Sequence, residues 1–128
     1  MTEFVIELDH RPGTLARLAE ILAEAGINVE GLAAWGADGR GIVRLVVDDH
    51  AGARRVLRLH GLRIAENPVL RTTVSHRPGA LAELTRALAD ADVNVEALYV
   101  LHTSDVGVDL AIVVDDPDAV RPLLAVRG

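Results

Sequence analysis

An internal repeat constrains the fold of this 128-residue chain more than any other feature. The segment that begins at His10 returns 66 residues later at His76, and 14 of the 23 positions from His10 to Leu32 are identical to those from His76 to Leu98. The match needs no gap. Because ungapped self-similarity indicates duplicated structural units, we expect two domains of one fold, over residues 1–67 and 68–128.

Each copy predicts the same order of elements. A short alternating strand, with Phe4 and Ile6 on one face, ends at a Pro-Gly turn, and a helix with leucines at helical spacing follows. Leu15, Leu18 and Leu22 are expected on its core face. Two β-rich runs come next, Ile27 to Trp35 and 41–47 in the first copy, and 93–101 and 108–114 in the second, each pair joined by a turn.

A second helix is expected over 51–60, capped by Asp49 and ended by Gly61, before a fourth strand at 62–65. The order β-α-β-β-α-β predicts an α+β, ferredoxin-like fold, an antiparallel sheet with helices on one face, repeated twice. The second copy ends soon after a weak helix carrying Pro122, so it lacks a full last strand. One sheet edge is then open, borrowed or covered by a partner.

Composition excludes several functions. The net charge of −6 argues against a nucleic-acid partner, since phosphate binding needs clustered cations. The chain has no Cys and no Lys, which removes thiolate nucleophiles, Schiff bases and Cys-bound metals. The histidines lack ligand spacing, so neither a metal nor a cofactor is expected. No secretion signal or membrane span is visible, and we expect a cytoplasmic protein without membrane contact.

The repeated motif resembles that of tandem ACT-domain proteins, small regulatory modules that bind amino acids. An apolar strand leads to Arg-Pro-Gly, Leu stands two positions after Gly, and Asn between apolar residues opens the next strand. The resemblance spans nearly the whole chain. It implies a free amino acid as ligand, held where the turn of one copy meets the second strand of the other, so that the turn at 10–14 would face Asn94 and the turn at 76–80 would face Asn28. The implied ligand-binding residues are His10, Arg11, Pro12, Gly13, Thr14, Leu15 and Asn28, and His76, Arg77, Pro78, Gly79, Ala80, Leu81 and Asn94.

The chemistry of the turn fits this ligand. A helix N-terminus offers unpaired N–H groups to a carboxylate, and glycine lets a ligand approach the backbone closely. Asn28 or Asn94 could accept from an ammonium group. A purely structural role stays open, because Pro-Gly is an ordinary strand-to-helix turn and Asn can cap a strand entrance. Taken from the residues alone, Arg11 and Arg77 are expected to be solvated or paired with Glu. Trp35 and Tyr99 lie near the ends of equivalent strands and could pack at the interface of a domain pair beside the site, but core filling is their expected role.

We therefore expect an amino-acid sensor, a homodimer without enzymatic activity, that modulates a separate enzyme, transporter or regulator. The alternative is a structural regulatory subunit of a biosynthetic enzyme with no ligand of its own. An enzymatic function is disfavoured, because a His10 or His76 base has no visible partner residue. The Arg54-Arg55 run with Arg58 is expected to be a solvated helix face.

Overall fold

The computed structural model describes residues 1–124, and the last four positions of the second predicted domain lie outside the described residues. By their contacts, Thr2–Asn67 form one compact unit, and the chain from Pro68 onward, together with Met1, forms another. Each unit has its own sheet and its own apolar core.

The first unit has the complete β-α-β-β-α-β order. Its elements are β1 (Thr2–Asp9), α1 (Thr14–Glu24), β2 (Val29–Ala37), β3 (Arg40–Val47), α2 (His50–Leu59) and β4 (Ile64–Pro68). The strands form a four-stranded sheet in the order β2-β3-β1-β4, in which β3 is antiparallel to both of its neighbours. This is the predicted ferredoxin-like fold.

The second unit repeats this order up to its last helix. Its elements are β5 (Leu70–Val74), α3 (Ala80–Asp90), β6 (Val95–Ser104), β7 (Gly107–Val114) and α4 (Pro117–Val120). The sheet has three strands in the order β5-β7-β6, all antiparallel, so within the described residues nothing occupies the position that β4 takes in the first unit. The shortened second copy is confirmed.

Both helices of the first unit pack on one face of its sheet. Phe4 and Ile6 from β1 and Leu45 from β3 share a core with Leu22 of α1 and Leu57 of α2. Cross-strand pairing sets this face, because Phe4 lies opposite Leu45 and Ile6 opposite Val43. The second unit has the same arrangement around Leu70, Leu88 and Ile112.

One predicted core position in each copy is wrong. Leu15 and Leu81, expected on the core faces of α1 and α3, are about half exposed, whereas Ile21 is buried in the core-facing side of α1. Leu15 stands in the first turn of its helix and borders an open hollow beside β2 and β3 instead of packing in the core. Helical period alone does not show how far the underlying sheet extends.

Three apolar residues predicted to open strands belong instead to helix caps. The amides of Ile27, Leu62 and Val93 donate to carbonyl oxygens of the preceding helices at 3.0–3.1 Å, each just after a residue with positive φ. This is the Schellman motif, in which the residue beyond the left-handed position packs back on the helix. The strands therefore begin later, and the fourth strand, expected over 62–65, extends to Pro68.

Both hairpin turns are short. β2 and β3 are joined by Asp38-Gly39 alone, both with positive φ, as in a type I′ turn. The strands of the second hairpin reach Ser104 and Gly107, which leaves Asp105 and Val106 between them, neither with positive φ. The helix expected to carry Pro122 ends at Val120, because Pro lacks the amide that would continue it.

Candidate functional site

The two Arg-Pro-Gly turns have nearly the same backbone. Gly13 and Gly79 precede α1 and α3 with φ of 96° and 90°, a left-handed conformation that favours glycine. Among the described residues, no side chain caps either helix N-terminus. The Thr14 and Ala80 amides donate to the carbonyl oxygens of Arg11 and Arg77 at 3.5 and 3.3 Å. The next two amides of each helix lack acceptors within the helix, so each turn presents donors and the positive end of the helix dipole.

The side chains around the two turns differ. Thr14 Oγ1 donates to the carbonyl oxygens of Asp9 and Arg11 at 2.8 and 3.2 Å, which ties the first turn together, whereas Ala80 stands at this position in the second. Arg77 instead donates to both carboxylate oxygens of Glu83 at 2.9–3.0 Å and to the carbonyl of Pro78. The second turn is thus stabilised by an ion pair.

Asn28 and Asn94 each form the same pair of hydrogen bonds, through their main-chain atoms, with an aspartate. The Asn28 amide donates to Asp48 Oδ1 at 3.0 Å, and the Asp48 amide donates to the Asn28 carbonyl at 3.1 Å; Asn94 and Asp115 repeat both bonds at the same distances. The Asn residues are exposed. Sequence reasoning missed the aspartates, although the repeated Val-Asp-Asp at 47–49 and 114–116 marks them.

Within one unit the turn and the asparagine lie at opposite ends of the sheet. The turn follows Asp9, which pairs with Arg40, while Asn28 precedes Val29, which pairs with Val47. Eight residues of strand separate these ends, about 25 Å at the usual strand rise. A single unit therefore does not bring His10 and Asn28 to one ligand, and the same register separates His76 from Asn94.

The first turn borders a hollow of about 610 Å³ on the side of the β2–β3 hairpin. Residues 8–15 form one wall, and Trp35, Ile42 and Val43 are among the residues that form the other. Trp35 is 47% exposed, so its expected core role is wrong, whereas Tyr99 is buried at 8%. A second hollow, of about 500 Å³, lies on the other side of the turn, toward Arg17 and Leu62.

The imidazole of His10 lies against the backbone of Gly36 in β2. A Cβ placed on Gly36 would come within 2.4–2.8 Å of the His10 ring atoms, so the ring fits there because residue 36 has no side chain. Nothing in the sequence indicated this contact.

The face of α2 that was expected to be solvated forms an ion pair with β4. Arg54 donates to both carboxylate oxygens of Glu66 on β4, and Arg58 lies 3.8 Å from the same carboxylate. The hydrogen bond from Arg54 holds the pKa of Glu66 below its usual value and raises the pKa of Arg54. Arg54 is therefore a structural partner of β4 rather than a solvated side chain, while Arg55 is exposed as predicted.

Among residues 1–124 the structure contains neither a membrane-spanning helix nor a cluster of metal ligands. From residue 1 to 124, no helix is long and apolar enough to cross a membrane. Over the same residues, no cluster of three or more His, Asp or Glu side chains could hold a metal ion.

The architecture is that of two ferredoxin-like domains in tandem, each opening on a strand, a Pro-Gly turn and a helix. The ACT domain model matches residues 2–60 and again residues 69–126, so the chain belongs to the ACT domain family. ACT domains are regulatory modules. No curated protein matches the chain in sequence.

Several solved structures share this fold. Protein BT0572 from Bacteroides thetaiotaomicron superposes with a TM-score of 0.85 at 23% identity, over 95% of this chain and 87% of that one. The ligand-free regulatory subunit of aspartate kinase from Thermus thermophilus gives a TM-score of 0.65 at 22% identity, over 88% and 81% of the two chains. The corresponding subunit from Thermus flavus gives 0.65 at 23% identity, over 88% and 80%.

Proposed function

We propose that this protein is a regulatory sensor that binds a free amino acid and modulates a separate partner protein. The observation that carries the proposal is the pair of uncapped helix N-termini, each following a left-handed glycine, in a chain of the ACT family. Such a turn offers donors to a carboxylate. Apart from its chain neighbours, no group stands within 4 Å of the place that a Cβ on Gly13 would take, while at Gly79 the Nη1 atom of Arg77 lies 3.7 Å from that place.

The ligand carboxylate would bind the amides at the start of α1 or α3, beside the residues 10–15 or 76–81. The exposed side chain of Asn28 or Asn94 would accept from the ligand ammonium. Since each asparagine lies far from the turn of its own unit, it would serve a turn in a different ACT domain. The site would thus lie between domains, so that ligand binding changes how they associate.

Assembly into a homodimer is part of the proposal. Large apolar side chains are exposed on α1, at Leu15, and on both faces of the edge strand β2, at Leu32 and Trp35. An uncovered edge strand can pair or pack with another chain. The regulated partner would be an enzyme, a transporter or a regulator, and the chain itself would have no catalytic role.

A thermal-shift screen against the twenty amino acids tests the proposal. A ligand at 100 times its dissociation constant stabilises the folded protein by about 2.7 kcal/mol, a shift of several degrees. Calorimetry of Asn28→Ala and Asn94→Ala should then show weaker binding, by about 1–3 kcal/mol. A screen without any shift would overturn the sensor proposal in favour of a regulatory subunit that works without ligand. Light scattering that shows a monomer at micromolar concentration would contradict the dimer.

A further inference from the structure

We infer that the exposed face of α2 docks an acidic surface of the regulated partner protein. Four residues at the C-terminal half and end of the helix define this basic α2 surface: Arg55, Arg58, Leu59 and His60. All four are exposed. The inference rests on the proposed function, which requires a separate partner, and it adds the place and the chemistry of the contact.

The charge of this segment is opposite to that of the chain. Residues 50–65 contain four arginines and two histidines but no Asp or Glu, whereas the whole chain has a net charge of −6. The next residue, Glu66, accepts from Arg54, and Arg58 lies 3.8 Å from the same carboxylate. One carboxylate thus faces two guanidinium groups, so α2 keeps an excess of positive charge.

Arg55 has no counter-ion on the described part of the chain. Among residues 1–124, every arginine except Arg55 and Arg63 has a carboxylate oxygen within 4.0 Å. Arg63 follows the helix after Gly61, so both exceptions belong to the basic segment. Opposite potentials meet across protein interfaces, and an arginine without an ion pair in its own fold is therefore available to an acidic partner.

Leu59 adds an apolar group to the same face. It is 80% exposed, and it stands four residues after Arg55, a spacing that places the two on one side of a helix. Protein interfaces combine an apolar centre with a polar rim, whereas nucleic-acid backbones are bound mainly by clustered cations. The surface therefore fits an acidic protein with an apolar contact for Leu59.

The fold itself does not require the basic residues. In the repeat, Asp116 stands at the position of His50, and Val120, which is buried, stands at that of Arg54. The corresponding helix, α4, has Asp118 in its first turn. The basic α2 surface is thus a feature of the first unit alone among the described residues.

The place of this surface suits a sensor. Leu62, three residues beyond Leu59, borders the hollow of about 500 Å³ together with Gly13 and Thr14 of the first turn. The ion pair joins α2 to β4, and β4 lies at the opposite edge of the sheet from β2, where the dimer contact is proposed. A partner on the basic α2 surface would therefore be close to the ligand turn and clear of the dimer edge.

A random peptide display library tests the inference without knowledge of the partner. The full native chain is the bait, and the double variant Arg55→Glu/Arg58→Glu removes peptides that bind elsewhere. We expect the remaining peptides to share acidic residues around an apolar one. By calorimetry, Arg55→Glu and Leu59→Ala should each weaken the best peptide about tenfold, Arg55→Lys should keep its affinity, and added salt should lower it.

Two exposed positions outside the basic α2 surface supply matched controls. Arg86→Glu makes the same charge change on α3, and Val106→Ala removes an apolar side chain from a residue that is 78% exposed. Both should leave the affinity for the peptide within about twofold. Melting temperatures equal to that of the native chain will show that the α2 variants are folded.

Each other outcome is decisive. A library in which no peptide depends on Arg55 and Arg58, or in which the selected peptides lack an acidic excess, would overturn the inference. Duplex DNA or phosphatidylserine vesicles that bind the native chain but not the double variant would assign the surface to another class of partner and also overturn it. Peptide selection needs no amino acid, so a thermal-shift screen without any shift would end the sensor proposal and leave the basic α2 surface as that of a regulatory subunit.

Discussion

The buried carboxylate of Glu3 accepts a hydrogen bond from the guanidinium of Arg44 at 2.6 Å, across two neighbouring strands of the first unit. The Glu3 side chain has no exposed surface, and Asn67 Nδ2 donates to the same oxygen at 3.0 Å. In the repeat, Val69 and Ala111 stand at the positions of Glu3 and Arg44, and both are buried. One copy therefore has a buried ion pair where the other has apolar packing.

Removing the Arg44 guanidinium from this pair should lower the free energy of unfolding substantially. Arg44→Met leaves a buried carboxylate without its charged partner, and we expect the unfolding free energy in urea to fall by about 3–5 kcal/mol. The control is Arg40→Met, which breaks the exposed Glu7 pair, also 2.6 Å long, and should cost about 0–1 kcal/mol. The double variant Glu3→Val/Arg44→Met, which imitates the second unit, should recover most of the loss. Equal losses in the two single variants would contradict the argument.

The ion pair between Arg54 and Glu66 should make stability depend on pH. The hydrogen bond from Arg54 lowers the folded-state pKa of Glu66, so its contribution is complete above the ordinary glutamate pKa and is lost as the pH falls through the lowered value. Urea unfolding of the native chain and of Glu66→Gln should differ at pH 7, and the difference should shrink at pH 3. Glu20→Gln, in an exposed pair 3.7 Å from Arg17, should have little effect at either pH. A difference that grows in acid would refute the assignment.

The hydrogen bonds between Asn28 and Asp48 allow the contribution of this pair to stability to be tested apart from its proposed role in ligand binding. Asp48→Ala removes the acceptor of the Asn28 amide, and we expect a loss of about 1 kcal/mol in unfolding free energy. Asn28→Ala keeps both main-chain bonds, so it should change stability by less than about 0.5 kcal/mol while weakening ligand binding. In the second unit, Asp115→Ala should behave like Asp48→Ala, and Asn94→Ala should behave like Asn28→Ala. A large stability loss in Asn28→Ala would mean that its side chain is structural.

The left-handed glycines should resist even a small side chain. Gly13→Ala meets no neighbouring atom, so its expected cost of about 1–2 kcal/mol comes from the backbone conformation alone. Gly13→Asn should cost less, because asparagine tolerates this region better. Gly41→Ala, whose added carbon would make ordinary contacts at 3.6–3.7 Å, is the control and should be nearly neutral. Thermal unfolding of the three variants tests this order.

Much of the fold could be predicted because its signals are local. The repeat, the alternating strand at Phe4 and Ile6 and the Pro-Gly turn each depend on neighbours within a few residues. The cap of α2 at Asp49, which accepts from the Gly52 amide at 2.9 Å, is of the same kind. The strand starts at Ile27, Leu62 and Val93 were misplaced because an apolar residue after a helix can begin a strand or complete a cap.

The sequence by itself determined two copies of one β-α-β-β-α-β order, with the second shortened, since periodicity and turn chemistry are written in consecutive residues. Only the tertiary structure decided which distant side chains meet: Glu3 with Arg44, His10 with Gly36, and Arg54 with Glu66. It also showed that Trp35 borders a hollow and that turn and asparagine lie at opposite ends of one sheet. For the contacts between strands the physical reason is register, because a slip of one residue would place side chains such as Glu3 and Arg44 on the other face of the sheet.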